Sequence, residues 1–353
     1  MVKYYVDNLM GLFICLLMLP ACFSPSKNSG QSTGQNITSS LRFPAAYGNH
    51  LPSLTEWWYY NGHLTNASGK NFSYALCFFR ATPLLYFAHI SFTDEQDHRF
   101  SFDRIFYPFY KVEFKKNTAN ISYGNEQVIE QIEPDKFRLH GKFENIELNL
   151  VLSSEKTPMY FNGNGKIKMP EGGKSFYYSL TRLKTEGVVH INGDPMAVTG
   201  NSWMDHQWGN FLVRDKGWDW FSFQMEDSTE YNLYSFRNSA DKKMKQFVTV
   251  LDEQSIISTY REIEISRISR WKNKITSNNF ITSWELILPG RQDTFLVTAN
   301  VNNQELYPKK SSDLFPSYWE GSCTVIKKTY DGRTIKGHGF AEHFPYRKVK
   351  IQK

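Results

Sequence analysis

The turn signals of this chain constrain its fold more than any other feature. Asn61-Gly62, Asn162-Gly163, Asn192-Gly193 and Asp331-Gly332 are dipeptides typical of two-residue β-hairpins. The runs between such signals are short, alternating or rich in aromatic residues, and almost none sustains a helical period. We therefore predict an all-β chain. Representative strand candidates are residues 72–79, 87–92, 146–152, 188–191, 247–251, 280–288 and 294–301.

A weak internal repeat indicates how these strands are organised. Residues 74–80 and 231–237 both fit Tyr-x-Leu-x-x-Phe-Arg, and each follows a Trp-rich segment. A chain of this length also exceeds the usual size of a single core. We expect two tandem lipocalin-like antiparallel β-barrel domains, residues 41–215 and 216–353, because closure removes sheet edges and leaves room for one apolar ligand. A pair of β-sandwiches is the alternative.

The first 40 residues have the features of a bacterial lipoprotein leader. Residues 1–21 contain an apolar run of signal-peptide length, residues 9–19, and Leu19-Pro20-Ala21-Cys22 resembles a lipobox with Cys22 just after the expected cleavage point. Residues 22–40 are polar and resemble a flexible tether. We expect lipidation at Cys22 and attachment to the cell envelope, at the outer membrane facing the periplasm. Cleavage without lipidation is the alternative.

Charge and cysteine content narrow the classes of partner. The formal net charge is +6, and no basic stripe interleaves with aromatic residues as a nucleic-acid site requires. Cys77 and Cys323 are far apart in sequence, and an oxidising compartment would permit their pairing without requiring it. Histidines are dispersed and no phosphate loop is complete, so we expect no metal, no nucleotide and no other cofactor.

The segment 201–237 carries four tryptophans in the neighbourhood of the acid Asp205 and the histidine His206. Such an aromatic wall suggests a pocket for a large apolar molecule, although a Trp-rich core with a structural histidine is the competing interpretation. Protonation of an alkene carbon requires an acid in a dry pocket. We take His206, Asp205 and Trp208 as catalytic candidates; His206 and Trp208 share a strand face, and Asp205 would orient a neighbour.

Four motifs resemble the AttH-like, lipocalin-like family that includes carotenoid 1,2-hydratases and proteins called secreted hydrolases. They are residues 56–59 (Glu-Trp-Trp-Tyr), 62–64, 205–209 (Asp-His-Gln-Trp-Gly) and 337–342. The resemblance implies two lipocalin-like domains and relatives that hydrate, cyclise or bind polyenes. Carotenoid hydratases carry a Tyr-x-Asp pattern where this chain has Tyr231-Asn232-Leu233, which argues against carotenoid hydration.

The resulting hypothesis is an envelope lipoprotein that binds a lipophilic isoprenoid, polyene or fatty molecule and hydrates, cyclises or isomerises it by acid catalysis. The sequence leaves open whether the chain is an enzyme. A non-enzymatic carrier of the lipocalin type is the alternative, and a scaffold without a ligand is a third class. The candidate ligand-binding residues are Glu56, Trp57, Trp58, Trp218, Trp220, Tyr231 and Glu342.

Overall fold

The computed structural model describes residues 41–169, 172–211, 217–238, 240–310, 313 and 315–345. It is 66% strand and 3% helical, so the all-β class is confirmed. The helical part consists of 3-10 turns at Ala45–Tyr47, Phe109–Lys111 and Phe161–Gly163. The expected leader, the tether with Cys22 and the expected domain boundary after residue 215 lie outside the described residues. In the part of the chain that is described, no helix is long and apolar enough to cross a membrane.

The first sheet is a nearly closed antiparallel barrel. Its strand order is β4-β3-β2-β1-β13-β12-β9-β8-β7-β6-β5, with the short β10 and β11 both pairing with β12. The strands are β1 Thr55–Asn66, β2 Asn71–Thr82, β3 Leu85–Asp94, β4 Arg99–Tyr107, β5 Val112–Phe114, β6 Asn120–Tyr123, β7 Gln127–Glu133, β8 Lys136–Phe143, β9 Ile146–Ser154, β10 Met159–Tyr160, β11 Lys166–Lys168, β12 Lys174–Ile191 and β13 Asp194–Gly209.

The second sheet is a half-barrel, also antiparallel. Its order is β17-β16-β15-β14-β23-β22-β20-β19-β18, and β21 pairs with β22. The strands are β14 Gly217–Met225, β15 Glu230–Arg237, β16 Lys243–Leu251, β17 Ile257–Tyr260, β18 Glu264–Lys272, β19 Asn279–Leu288, β20 Asp293–Ala299, β21 Glu305–Leu306, β22 Tyr318–Lys328 and β23 Thr334–Phe344.

Two of the four turn signals mark hairpins. Asn192 and Gly193 have φ values of 56° and 90° between β12 and β13, and Gly332, with φ 84°, lies in the turn between β22 and β23. The expectation at Asn61-Gly62 is wrong, because this pair lies inside β1, where Gly62 faces Tyr74 on β2 and Ser202 on β13. Asn162-Gly163 forms a 3-10 turn instead of a hairpin.

Alternation along the strands creates three apolar clusters. Trp58 and Tyr60 on β1 belong to the interior of the first sheet. Phe221 on β14 belongs to the interior of the second. The third cluster fills the space between the sheets and includes Tyr59 and Trp220, whose rings meet edge to face at 5.5 Å. When alternate residues of one strand belong to two different apolar clusters, almost every residue of that strand is apolar, which explains the aromatic density of these segments.

The internal repeat corresponds to equivalent strands. The first copy, residues 74–80, lies in β2, and the second, residues 231–237, lies in β15. The neighbouring strands correspond as well, because the order β2-β1-β13-β12 in the first sheet matches the order β15-β14-β23-β22 in the second. Both cysteines outside the leader region are free: Cys77 belongs to the cluster between the sheets and Cys323 to the interior of the second sheet.

Candidate functional site

A cavity of about 290 Å³ opens between the two sheets. The first sheet contributes a row across neighbouring strands, in which Tyr59 on β1 lies between Cys77 on β2 and Asp205 on β13. The second sheet contributes an equivalent row that includes Glu320 on β22 and Glu342 on β23. Because strand faces alternate, the same register that directs these side chains into the cavity directs their neighbours into the two sheet interiors.

One buried glutamate, Glu320, and one partly buried glutamate, Glu342, form the acidic part of the second row. Glu342 on β23 pairs in register with Glu320 on β22 and, on its other side, with Trp220 on β14. Directly opposed side chains on neighbouring strands have Cβ atoms about 4.5–5.5 Å apart. Burial raises the pKa of Glu320 to about 7, and burial together with the charge of Glu320 raises the pKa of Glu342 well above its ordinary value. The pair therefore retains at least one proton near neutral pH.

Two polar side chains approach this acidic pair. The Tyr59 hydroxyl lies close to Glu320, and the indole Nε1 of Trp218 lies close to Glu342. Each donor favours the ionised form of the neighbouring carboxyl group and so opposes the rise in its pKa.

Asp205 is held by a dense hydrogen-bond network on the opposite wall. It accepts bonds from the Tyr177 hydroxyl, from Ser179 Oγ at 2.5 Å and from Trp203 Nε1 at 2.6 Å. Burial raises its pKa to about 6 although the three donors oppose the rise. Tyr177 in turn accepts a bond from Trp220 Nε1 at 3.2 Å, which connects the network of the first sheet to the second. Asp205 is thus a second acid whose protonation changes just below neutral pH.

Aromatic rings complete the cavity walls. Trp218 stacks on Phe344 with ring centroids 4.1 Å apart, and Phe79 stacks on Phe87 at 4.8 Å. Trp57 also lines the space. The site therefore offers an electron-rich, apolar surface with three carboxyl groups placed among the rings.

His206 occupies a different environment, inside the first sheet. Its Nε2 lies 2.9 Å from Glu56 Oε1, and its Nδ1 lies 3.2 Å from the Tyr178 hydroxyl. Arg80 pairs with the other oxygen of Glu56 in the same fully buried group. Burial lowers the pKa of His206 to about 4, although Glu56 opposes the shift, so the ring is neutral near neutral pH. These contacts give His206 a structural environment within the core.

The second sheet contains a matching group. His343 on β23 lies 2.6 Å from Asp219, and Arg237 Nε lies 3.1 Å from the same carboxylate. His206 and His343 each follow an acid that faces the cavity, Asp205 and Glu342 respectively. Both repeats therefore share the same arrangement: an acid points into the cavity, and the histidine that follows it points into a sheet interior.

One cluster in the first sheet has the composition of a metal site. The ligand atoms of His50, Glu56 and His206 all lie within 4.8 Å of one another. The hydrogen bonds from His50 Nδ1 at 2.8 Å and from His206 Nε2 to one oxygen of Glu56, together with the Arg80 cation on the other oxygen, already account for this arrangement. A nearby guanidinium also disfavours a second cation.

The sequence candidates divide between these environments. The residues that line the cavity are Asp205, Trp57, Trp218, Trp220 and Glu342. His206, Trp208, Glu56 and Trp58 face the interior of the first sheet, and Tyr231 faces the interior of the second, where its hydroxyl bonds Asp293. The expectation that His206 and Trp208 share a face is met, but that face is directed away from the cavity, and Asp205 is directed into it.

Sequence reasoning missed Glu320, Tyr177 and Tyr318. The sequence did contain a signal for Glu320. The residue directly follows Tyr318 and Trp319 in an aromatic segment, where a solvent-exposed glutamate is not expected. The same combination of an acid beside two aromatic residues occurs at Glu56. The partnership of Glu320 with Glu342 depends on strand pairing and could not be read from either segment.

Comparison with known proteins agrees with this architecture. A sequence model of the AttH-like family matches residues 35–346. A protein from Nitrosomonas europaea described as AttH has the same fold, with a TM-score of 0.78 and 22% identity over 88% of this chain and 98% of the other. Among curated proteins, none matches at a significant level.

Two further solved structures share the fold. Kievitone hydratase from Nectria haematococca gives a TM-score of 0.72 at 16% identity, over 89% of this chain and 97% of that one. CghA, solved with Sch210972, gives a TM-score of 0.54 at 10% identity, over 82% and 88% of the two chains. At these identities the likeness concerns the fold.

Proposed function

Because the chain belongs to the AttH-like family, we propose that it binds a lipophilic small molecule between its two sheets and adds water to it, or cyclises or isomerises it, by acid catalysis. The observation that carries this proposal is the Glu320–Glu342 pair, which lies side by side on neighbouring strands in an aromatic cavity, where the pKa of each carboxyl group is raised by burial. Perturbed carboxyl groups inside a cleft are typical of catalytic acids and bases.

The chemistry follows from the two states of the pair. The protonated carboxyl donates its proton to an alkene carbon, and the partner carboxylate then accepts a proton from the attacking water or from a neighbouring carbon. Trp57, Trp218 and Trp220 surround the developing cation, and each cation–π contact contributes about 0.5–2 kcal/mol. Asp205 with Tyr177 supplies a second acid–base group on the facing wall.

The volume of the cavity favours a compact substrate. At about 290 Å³ it lies at the lower end of the usual ~300–1,000 Å³ range of small-molecule sites. A short isoprenoid or an aromatic polyene suits this space better than a full-length carotenoid. Kievitone hydratase is an example of a hydratase on this fold, which favours water addition among the three reactions.

A carrier that releases its ligand unchanged is the second candidate. The aromatic lining would serve a carrier equally well, but two proton-sharing glutamates in an apolar cavity impose a desolvation cost that simple binding does not require.

We also propose that the mature chain is a lipoprotein of the cell envelope, attached through Cys22. This part of the proposal rests on the sequence of the leader.

The experiment begins with native mass spectrometry of the protein purified from its own cells, which identifies a co-purified lipophile. That compound is then incubated with the protein in water labelled with ¹⁸O and deuterium. We expect product that contains solvent oxygen or carbon-bound deuterium, and a loss of at least about 100-fold in rate for Glu342→Gln and Glu320→Gln. Glu285→Gln, on an exposed site of β19, is the matched control.

The outcomes separate the two functions. If the Gln variants turn over the compound as fast as the control, the glutamates are not the acid and the proposal fails. If the compound binds with the same affinity to all variants and no label enters it, the protein is a carrier.

A further inference from the structure

An exposed apolar surface lies at one end of the first sheet. The turn from β2 to β3 and the segment after β4 meet there, because antiparallel β2 ends where β3 begins and β4 ends. Leu84, Phe109 and Tyr110 are exposed by 67, 60 and 73%. We define the entrance patch as Leu84, Leu85, Phe106, Phe109 and Tyr110. Exposed aromatic and aliphatic side chains grouped in this way indicate an interaction surface.

The entrance patch is continuous with the cavity. Phe106 pairs in register with Phe87, and their rings are 5.5 Å apart. Phe87 stacks on Phe79, and both line the cavity together with Ala81, which precedes the β2–β3 turn. An unbroken apolar path therefore leads from the exposed edge into the binding space.

The charge around the patch favours a lipid surface over a protein. Lys111, Lys115 and Lys116 are exposed and follow Phe109 and Tyr110 closely in sequence, and Glu113 is the single acid of that stretch. Aromatic rings mixed with lysines are typical of surfaces that enter the headgroup region of anionic membranes. Lysine is depleted at protein–protein interfaces.

The beginning of the described chain lies at the same end of the sheet. Leu41 approaches Gly165, next to the start of β12, and a Cβ atom on Gly48 would lie 2.8 Å from Asn117 in the turn between β5 and β6. β12 starts beside the first residue of β1, because Ser175 and Thr55 both pair with Gly209. Whatever precedes Leu41, including an anchor at Cys22, thus joins the folded body near the entrance patch.

We infer that the entrance patch docks onto an anionic bilayer and that the lipophilic ligand enters the cavity from the membrane along the Phe106–Phe87–Phe79 path. The docking surface stands on the exposed side chains alone, whereas the loading route rests on the proposed function. Apolar side chains at the tip are buried among acyl chains while the lysines contact anionic headgroups.

The test uses the full chain reconstituted into vesicles of phosphatidylethanolamine and phosphatidylglycerol. A bimane fluorophore is attached to Phe109→Cys or, as the control, to Ile275→Cys, whose side chain is 76% exposed in the turn between β18 and β19. We expect lipids with a nitroxide in the acyl chain to quench the label at position 109 about fivefold more strongly than at position 275. Lys115→Glu combined with Lys116→Glu should reduce that quenching towards the control.

Equal quenching at the two positions would overturn the inference. A label at position 109 that is shielded from water without lipid quenching, in a chain that sediments as a dimer, would also overturn it and would assign the surface to a second copy. Strong quenching without turnover of any ligand would leave the docking surface in place and reject the proposed function instead.

Discussion

At the scale of single residues, the Glu320–Glu342 pair links the stability of the protein to its chemistry. Ionised carboxylates are disfavoured in the apolar cavity, so the native state holds a proton that the unfolded chain releases at its ordinary pKa of about 4.5. A proton bound more tightly in the native state stabilises the fold at low pH, and that contribution is lost as the pH rises from about 4.5 through about 7.

Glu320→Gln should remove part of this dependence. We expect the free energy of unfolding of the parent protein to fall between pH 5 and pH 8 by on the order of 2 kcal/mol more than that of the variant, since one pKa unit corresponds to about 1.4 kcal/mol. Urea unfolding at both pH values measures the difference. Glu285→Gln, which is exposed, should keep the dependence of the parent; identical slopes in all three proteins would contradict the raised pKa.

His206 provides the contrasting case. Its two ring nitrogens contact Glu56 and Tyr178 inside the first sheet, so His206→Ala should lower the free energy of unfolding by about 2 kcal/mol by leaving these partners unsatisfied. Ligand affinity of the folded protein should stay within about twofold, because the ring does not line the cavity. Thermal unfolding and ligand titration on the same sample measure both quantities, and Trp208→Phe, which keeps most of the apolar volume, serves as a companion variant. Loss of binding in a variant of normal stability would restore His206 as a site residue.

The candidate site could be predicted from the sequence only in part. The sequence identified the Asp205–His206 motif and showed that its two side chains face opposite ways, but both faces of β13 are buried from Ser202 to Gly209. Which face borders the cavity depends on the packing of the second sheet. Glu342 was predicted as a site residue from its motif, whereas the role of Glu320 depends on its register with Glu342 on the neighbouring strand.

At the scale of elements, the family motifs lie on three strands that surround the site. Residues 56–64 are on β1, residues 205–209 on β13 and residues 337–342 on β23. His63, from residues 62–64, approaches the carbonyl of Gly339, from residues 337–342, at 3.1 Å across the space between the sheets. The motifs therefore specify how the two sheets pack as well as the cavity they enclose.

Gly62 in β1 illustrates this packing role. A Cβ atom there would lie 2.4 Å from Ser202 Oγ and 2.7 Å from the Tyr74 ring, which are hydrogen-bonded to each other. We expect Gly62→Ala to lower the free energy of unfolding by about 1–3 kcal/mol through overpacking. Chemical denaturation checks this, with Gly69→Ala in the open β1–β2 turn as a comparison that tests backbone strain without crowding. An unchanged stability for Gly62→Ala would show that β1 shifts freely against β13.

At the scale of the whole molecule, the all-β class and the repeat were predictable because strand alternation and turn chemistry are local. The misread turn at Asn61-Gly62 shows the limit of that reasoning, since a β1 long enough to pair with β2 and β13 overrides a local turn preference. The location of the cavity was not predictable. Each barrel interior is filled by its own aromatic core, and the open space lies between the sheets.

Membrane attachment also belongs to this scale. We expect Cys22→Ala to abolish incorporation of labelled palmitate and to release the protein from the membrane fraction, because a lipid anchor supplies most of the affinity for the bilayer. Fractionation with and without a high-salt wash measures the change, and the wash removes the weaker electrostatic contribution of the lysines. Palmitate labelling that persists in Cys22→Ala would refute lipidation at this residue.

Infrared difference spectroscopy tests, without knowledge of the substrate, whether Glu320 and Glu342 share a proton near neutral pH. Parent protein minus the double variant Glu320→Gln/Glu342→Gln should show the carbonyl stretch of a protonated carboxyl group at pH 7, shifted in deuterated water. Asp205 remains in the double variant and cancels in the difference. Difference spectra that contain only carboxylate bands at pH 7 would mean that both glutamates are ionised, and the acid catalysis proposed for this cavity would be contradicted.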